Sequence, residues 1–323
     1  MILKPFEFLY QFASSVKNKF YDLGILSSAQ LKVPVISVGN LSFGGTGKTP
    51  FIEFLAKNLA DKKIVIVCRS YRASLKVPQK VNLKIKNAAH IYGDEAYLLQ
   101  KKIPTSLVWS GPTKSKTALA ALTDQPDVIL VDDGFSHRQL KRNFDLVLID
   151  STKLYNDYFR ERFSSLHRAS AVVLTKSQDA NRDQLLNFKK ALSEKFPQLS
   201  DSIFEAETRS TFHVKPESPV IAFCGVALPE VFRESLINQN LRLIHFSIFQ
   251  DHQIYTDSLQ DKMWSDYCEL RKLEPFLKIL TTEKDFNKLT HSELIKNTSV
   301  VDYVVEMQPP QKEKLLEKIR NLT

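Results

Sequence analysis

Lys48, Thr49, Asp132 and Asp133 are the side chains whose types and spacing point most directly to chemistry in this 323-residue chain. Lys48 and Thr49 close the stretch NLSFGGTGKTP (40–50). A lysine and a hydroxyl residue after a glycine-bearing loop are the pattern that cradles a nucleoside triphosphate. Gly44, Gly45 and Gly47 let backbone N–H groups turn inward around phosphate oxygens, where a side chain would block the approach. Ser42, Phe43 and Thr46 complete the loop. Lys48 offers a cation to the β- and γ-phosphates, and Thr49 offers a hydroxyl to magnesium. The spelling departs from G-x-x-x-x-G-K-[ST] at Ser42, which stands where the first glycine would fall; serine serves there if that position needs no positive φ. The stretch PDVILVDDG (126–134) supplies the second element, an apolar run ending in Asp132 and Asp133, carboxylates suited to holding magnesium directly or through water. Either aspartate alone would equally serve as a helix cap.

Other charged strings carry weaker signals. YGDEAYLL (92–99) puts Asp94 and Glu95 at a loop-to-helix junction, where they suit a cap and a first-turn acid as well as catalysis. QDH (250–252) places Asp251 and His252 after a strand; a lone histidine is more often structural than catalytic. SHRQLKRN (136–143) gathers His137, Arg138, Lys141 and Arg142, either a solvated face or a site for a substrate phosphate. The guanine-reading pattern N/T-K-x-D is not met: in LTKSQD (174–179) Asp179 falls one residue too far, and LTTEKD (280–285) fits worse.

These residues need elements to place them. VPVISV (33–38), KIVIVC (63–68), DVILVD (127–132), DLVLID (145–150) and AVVLTK (171–176) are continuous apolar runs of the kind buried on both faces of a parallel sheet. Helical patterns fill 49–60, 93–102, 112–123 and 182–195. The alternation predicts an α/β fold with a doubly wound, mostly parallel sheet. A second set of strands (219–225, 241–246, 276–281, 300–305) and helices (229–239, 257–273, 310–322) predicts a smaller α/β lobe. The expected division is an amphipathic helix over 1–27, a core lobe over 28–208 and a C-terminal lobe over 209–323, whose last helix could return to the core. Residues 205–218 read as the link between lobes. The alternation of Val81, Leu83 and Ile85 predicts a short β-hairpin within 75–95 that could act as a lid.

Hydrophobic content of 43% and charged content of 25% are ordinary for a chain with a real core. The net charge of +9 favours an anionic partner (nucleotide, nucleic acid, membrane surface or phosphorylated substrate), and a merely basic surface accounts for it equally. Cys68, Cys224 and Cys268 are few and far apart, which argues against a disulfide scaffold or a structural zinc site. No run reaches the ~18 apolar residues of a spanning helix, and the N-terminal stretch lacks the features of a signal peptide. Phe6, Leu9, Tyr10, Ala13, Val16, Phe20 and Leu23 instead recur at helical spacing, which suits a membrane interface or a helix packed on its own domain.

The ordered set VPVISVGNLSFGGTGKTP, YGDEAYLL, VDDGFSHRQLKRN, CGVALPEVF, FQDHQIYT and LTTEKD resembles the tetraacyldisaccharide 4′-kinase family, the lipid A kinases of Gram-negative bacteria. The resemblance runs from the N-terminal helix past residue 285. The family also carries Ser or Thr where Ser42 stands. The resemblance implies a two-lobed P-loop fold and transfer of the γ-phosphoryl group of ATP, with Mg2+, to the 4′-hydroxyl of a lipid-linked glucosamine disaccharide 1-phosphate. It implies a peripheral protein on the cytoplasmic face of the inner membrane, held there by its N-terminal helix, with no nucleic acid and no obligate protein partner. It assigns Asp94 as the base that takes the sugar hydroxyl proton and His252 as its support. Lys48 and Asp133 would act at the transferring group, Thr49 with Asp132 or Asp133 would hold magnesium, and Glu95, His137, Arg138 and Arg142 would meet substrate. Four departures touch these assignments: CRSYRA (68–73) puts Ser70 in place of a glycine, GDEP becomes GDEA at Ala96, a second histidine after His252 is replaced by Gln253, and STKLYNDYFRERF replaces a stretch rich in Gly, Leu and Pro near 151–162. On the motifs alone, a P-loop kinase of a soluble acceptor and a membrane-associated, nucleotide-hydrolysing switch remain alternatives.

Overall fold

The computed structural model describes residues 18–41, 45–71, 73–154, 163–212 and 214–323. These form two compact units, Met1–Thr208 with Val305–Thr323, and Arg209–Val304. The predicted N-terminal helix lies largely outside the described residues, as do Ser42, Phe43 and Gly44 and most of the departing stretch after residue 154.

The strands of the first unit are β1 (Val35–Asn40), β2 (Ile64–Arg69), β3 (Gln79–Lys80), β4 (Leu107–Gly111), β5 (Val128–Asp132), β6 (Phe144–Asp150), β7 (Ala171–Thr175) and β8 (Ile203–Thr211). They lie in the order β8-β7-β6-β1-β5-β2-β4-β3. All pair in parallel except the short β3, antiparallel to β4. This is the predicted α/β, mostly parallel sheet. Every residue of β1, β5, β6 and β7 is buried, because helices cover both faces and each strand therefore needs apolar side chains at successive positions. Alternate residues sort to opposite faces. Ile36, Ile66 and Leu130 pack with Phe51, Ile52, Leu55 and Leu59 of the helix Lys48–Asn58 and with Leu315, Leu316 and Ile319 of the last helix, Pro309–Arg320. Val35, Val65, Val67, Ile129 and Val131 pack with Ala118 and Ala121 of the helix Lys114–Ala121. Val147, Ile149, Val172 and Leu174 meet Leu185, Phe188 and Leu192 of the helix Arg182–Lys195.

One expectation fails in this unit. The 75–95 segment forms no hairpin. It contributes the two residues of β3, then turns into a five-residue helix, Ala88–Tyr92, and of its alternating residues only Val81 is buried. The antiparallel partner of β3 is Ser110 and Trp109 of β4, so the strand joins an existing edge instead of folding on itself. β8 runs to Thr211 and takes its register from β7, so the first residues of the expected link are extended, and the two units divide within that link, between Thr208 and Arg209.

The second unit is a four-stranded parallel sheet in the order β10-β9-β11-β12, from β9 (Pro219–Cys224), β10 (Arg242–Ile248), β11 (Lys278–Thr282) and β12 (Thr298–Glu306). The helices Pro229–Asn238 and Asp257–Leu273 flank it. Phe232 and Leu236 pack with Val220, Ala222 and Leu280. Tyr267 packs with Phe223, Leu277 and Ile279.

Candidate phosphate site

β1 lies between β6 and β5, at the point where the strand order of the first unit reverses, and the neighbouring parallel strands end on the same edge. Ligands of open α/β sheets bind in the crevice outside such an edge. The chain leaving β1 passes through the loop to Gly47, whose φ is +82°, and enters the helix Lys48–Asn58 with no side-chain cap. The first N–H groups of that helix therefore have no capping side chain and point outward beside the positive end of the helix dipole. The loop is pinned from below. Thr46 is buried; its hydroxyl accepts from Asn40 Nδ2 at 3.0 Å and its carbonyl accepts from Thr175 Oγ1 at 3.2 Å.

Lys48 Nζ stands 3.7 Å from Asp133 Oδ1, both side chains being about a quarter exposed (22% and 23%). Asp132, the last residue of β5, is buried. Burial, then the charge of Glu95, raises its carboxyl from 3.8 to about 7, against the opposing pull of Lys114 and Lys48; Asp133 adds to the rise. The structure thus gathers Lys48, Glu95, Asp132 and Asp133 about one point. Asp94 and Glu95 open the helix Asp94–Lys102, whose N-cap is Gly93, and Ser110 Oγ donates to the Tyr92 carbonyl at 2.6 Å to hold that entry against β4. Ser70 takes an ordinary backbone conformation and donates its N–H to the Gly111 carbonyl at 2.9 Å, so the glycine-to-serine change is accommodated.

The basic string departs from its expected use. Arg142 is not available to a substrate phosphate. Its guanidinium grips Asp145 through Nε (3.0 Å) and Nη2 (2.9 Å), and its Nη1 donates to the carbonyls of Leu140 (2.7 Å) and His137 (3.1 Å). Asp145 in turn accepts from Ser37 of β1 at 2.5 Å, which makes Arg142 a brace under the sheet. Arg138 is also engaged, donating to the Asn18 carbonyl at 2.7 Å, pairing with Asp22 at 2.6 Å and lying over the Tyr21 ring at 5.2 Å. It ties residues 18–22 to the loop that follows Asp133. His137 closes a turn onto the Gly134 carbonyl at 2.9 Å. His252 belongs to the second unit, with φ +63° and its Nε2 3.8 Å from Asp251 Oδ2.

Sequence reasoning overlooked Lys114. It is buried and its ammonium donates to the Asp133 carbonyl, within electrostatic reach of Asp132. One signal was present: a lysine at the first position of a helix opposes the dipole, so its charge needs a partner elsewhere.

Among the described residues no three His, Cys, Asp or Glu side chains are placed to hold a metal ion by themselves. Magnesium keeps waters and is held by one or two protein groups plus substrate phosphates, and Thr49 with Asp132 or Asp133 would offer groups of that kind. The buried Asp132 beside Glu95 fits the same demand, since a cation would relieve the crowding of negative charge that raises its carboxyl.

A parallel sheet with a helix-capping phosphate loop at its reversal point, and a carboxylate pair at the end of the adjacent strand, defines the class of P-loop phosphotransfer proteins. Within that class the chain belongs to the family described as LpxK, tetraacyldisaccharide-1-P 4′-kinase, whose model matches residues 1–323. It is 34% identical to the tetraacyldisaccharide 4′-kinase of Aquifex aeolicus, covering 97% of this chain and 96% of that one. Its identity to the enzyme of the same name from Bdellovibrio bacteriovorus is 33%, over 93% and 91%. A crystal structure of LpxK from Aquifex aeolicus in complex with ATP superposes with a TM-score of 0.73 at 31% identity, covering 99% of this chain and 98% of that one.

Proposed function

We propose that this chain transfers the γ-phosphoryl group of ATP to the 4′-hydroxyl of a tetraacyl glucosamine disaccharide 1-phosphate, giving the bis-phosphorylated lipid A precursor. The observation that carries this reading is the match to the kinase family over residues 1–323.

The residues divide the work as follows. The N–H groups at the start of the helix Lys48–Asn58 and the loop through Gly47 bind the phosphate tail. Lys48, held near Asp133, neutralises charge on the transferring group. Asp94 accepts the proton of the 4′-hydroxyl as its oxygen bonds to the γ-phosphorus and the bond to the ADP oxygen breaks; His252 supports that carboxylate. Thr49 with Asp132 or Asp133 would hold magnesium, which would offset the charge of the phosphate tail. Phosphoryl transfer asks a protein mainly for positioning and charge stabilisation, and these groups supply both.

Contact with the cytoplasmic face of the inner membrane belongs to the same proposal. Among the described residues no helix is long and apolar enough to cross a membrane. Phe20, Leu23, Ile25 and Leu26, at the end of the predicted amphipathic helix, are exposed together, as an interfacial segment requires. Acyl chains leave a bilayer at a cost of about 0.8 kcal/mol per CH2, so the catalyst must come to the lipid.

Acceptor-dependent ADP formation tests the reading. ADP release should need the acylated disaccharide 1-phosphate presented in detergent or vesicles. Release at the same rate without acceptor would favour a hydrolysing switch, and release with a water-soluble sugar acceptor would favour a different kinase.

A further inference from the structure

The string LTTEKD takes no part in the chemistry proposed above, yet its last residue is the most deeply placed acid of the second unit. Asp285 is wholly buried (0% exposed). Its Oδ2 accepts the Gly225 N–H at 2.9 Å and the Thr282 hydroxyl at 2.7 Å. Gly225, at the end of β9, passes the constraint on: its carbonyl accepts the His252 N–H at 3.3 Å. The approach leaves no room at Gly225. A Cβ there would stand 2.8 Å from the Gln250 carbonyl, 3.0 Å from Gln253 Cβ and 3.1 Å from Asp285 Oδ1. The same loop is seated at both ends by an aromatic trio, with ring centroids of Phe223 and Phe249 6.2 Å apart, Phe249 and Tyr255 5.3 Å, and Phe223 and Tyr255 5.7 Å.

We infer that Asp285 is a positioning residue that, through Gly225, fixes the loop carrying His252 in its left-handed backbone conformation. The inference rests on His252 being the supporting histidine. A buried carboxylate is costly unless hydrogen-bonded, so a merely structural acid at this position would be replaceable by an apolar residue. The arrangement has a direction instead, from the β11 end through Asp285 and Gly225 to residue 252. The buried Tyr255 phenol also faces Asp285 as a side-chain hydrogen-bond donor. Burial, then the charge of Asp285, pushes the Tyr255 phenol well up, which keeps it protonated beside that carboxylate. The three strings CGVALPEVF, FQDHQIYT and LTTEKD therefore meet at one carboxyl group, although they lie far apart in the chain.

The test uses the full chain with isotope-labelled histidine, the His252 ring resonance being assigned by its loss in His252→Ala. Asp285→Asn keeps the shape and removes the charge; Gly225→Ala crowds the 250–253 loop and Asp285 Oδ1 but leaves the acid and its charge in place, which covers the case in which the first variant folds poorly. Both should shift the His252 resonance and lower kcat by about 10- to 100-fold, the scale of a misplacement near 1 Å, with the KM for ATP within about twofold. In a His252→Ala background the further loss from either change should shrink to about twofold or less. An unmoved His252 resonance in both folded variants, or full additivity with His252→Ala, overturns the inference. If His252→Ala alone leaves kcat intact while the resonance still shifts, the positioning stands and the catalytic reading of His252 falls instead.

Discussion

Lys48 and Asp132 carry opposite electrostatic duties, and each gives a measurable consequence. Lys48 opens the helix that follows the phosphate loop, 3.7 Å from Asp133. Lys48→Ala should lower turnover by ~10²-fold or more, the scale of removing a preorganised charge stabiliser, read as acceptor-dependent ADP release. Asp94→Asn should lower kcat with nucleotide affinity retained; loss of ATP binding with chemistry intact would contradict its role as base. Asp132 makes a prediction about stability. Its carboxyl is raised from 3.8 to about 7, so the folded chain binds that proton more tightly than the unfolded chain. Its contribution is therefore most favourable at low pH and is lost as pH rises from about 4 through about 7. Comparing thermal unfolding of the nucleotide-free protein with Asp132→Asn across that window should show a falling difference. A flat difference would contradict the burial of a protonatable carboxyl. Residue types at the site were legible because phosphate chemistry demands glycine, lysine, threonine and carboxylate in a fixed order. The fates of Arg138 and Arg142 were not, because a sequence does not say whether a guanidinium already has partners; here Asp22 and Asp145 take them.

At the scale of elements, the loop after β5 is fitted to β1 by close packing. A Cβ on Gly134 would stand 2.5 Å from Ser37 Cβ and 3.0 Å from Val131 Cγ1. Gly134→Ala should therefore cost about 1–3 kcal/mol in denaturant unfolding, and it should depress activity further by moving Asp133. The last helix, Pro309–Arg320, anchors to the first unit through buried Leu315, Leu316 and Ile319, and Arg320 Nη2 donates to the Asn58 carbonyl at 2.9 Å. The strands and helices around the phosphate loop could be read from the sequence because burial on both faces leaves long apolar runs and amphipathic helices leave a 3.6-residue period. The 75–95 segment misled because a period of two also arises in an extended surface stretch: Leu83 and Ile85 stay exposed, and only Val81 reaches the core. The start of β8 was hidden in a polar stretch, IFEAETRST, where paired charges, such as Glu205 with Lys189 at 2.6 Å, replace apolar content.

For the whole molecule the question is how a protein with a net charge of +9 meets an anionic lipid. Residues 18–22, the described part of the end of the predicted amphipathic helix, are clasped by Arg138 to the loop beyond Asp133. Removing residues 1–26 should abolish sedimentation with anionic vesicles and raise the apparent KM for the lipid acceptor, with the KM for ATP unchanged. Undiminished vesicle binding would count against contact through this segment. The central claim is tested most directly by incubating the protein with γ-labelled ATP and a tetraacyl disaccharide 1-phosphate in mixed micelles and locating the label in the product. A bis-phosphorylated lipid labelled at the 4′ position, formed one for one with ADP and missing with Lys48→Ala, is the predicted result. ADP formed with no label on the lipid, or label at any other hydroxyl, would contradict it.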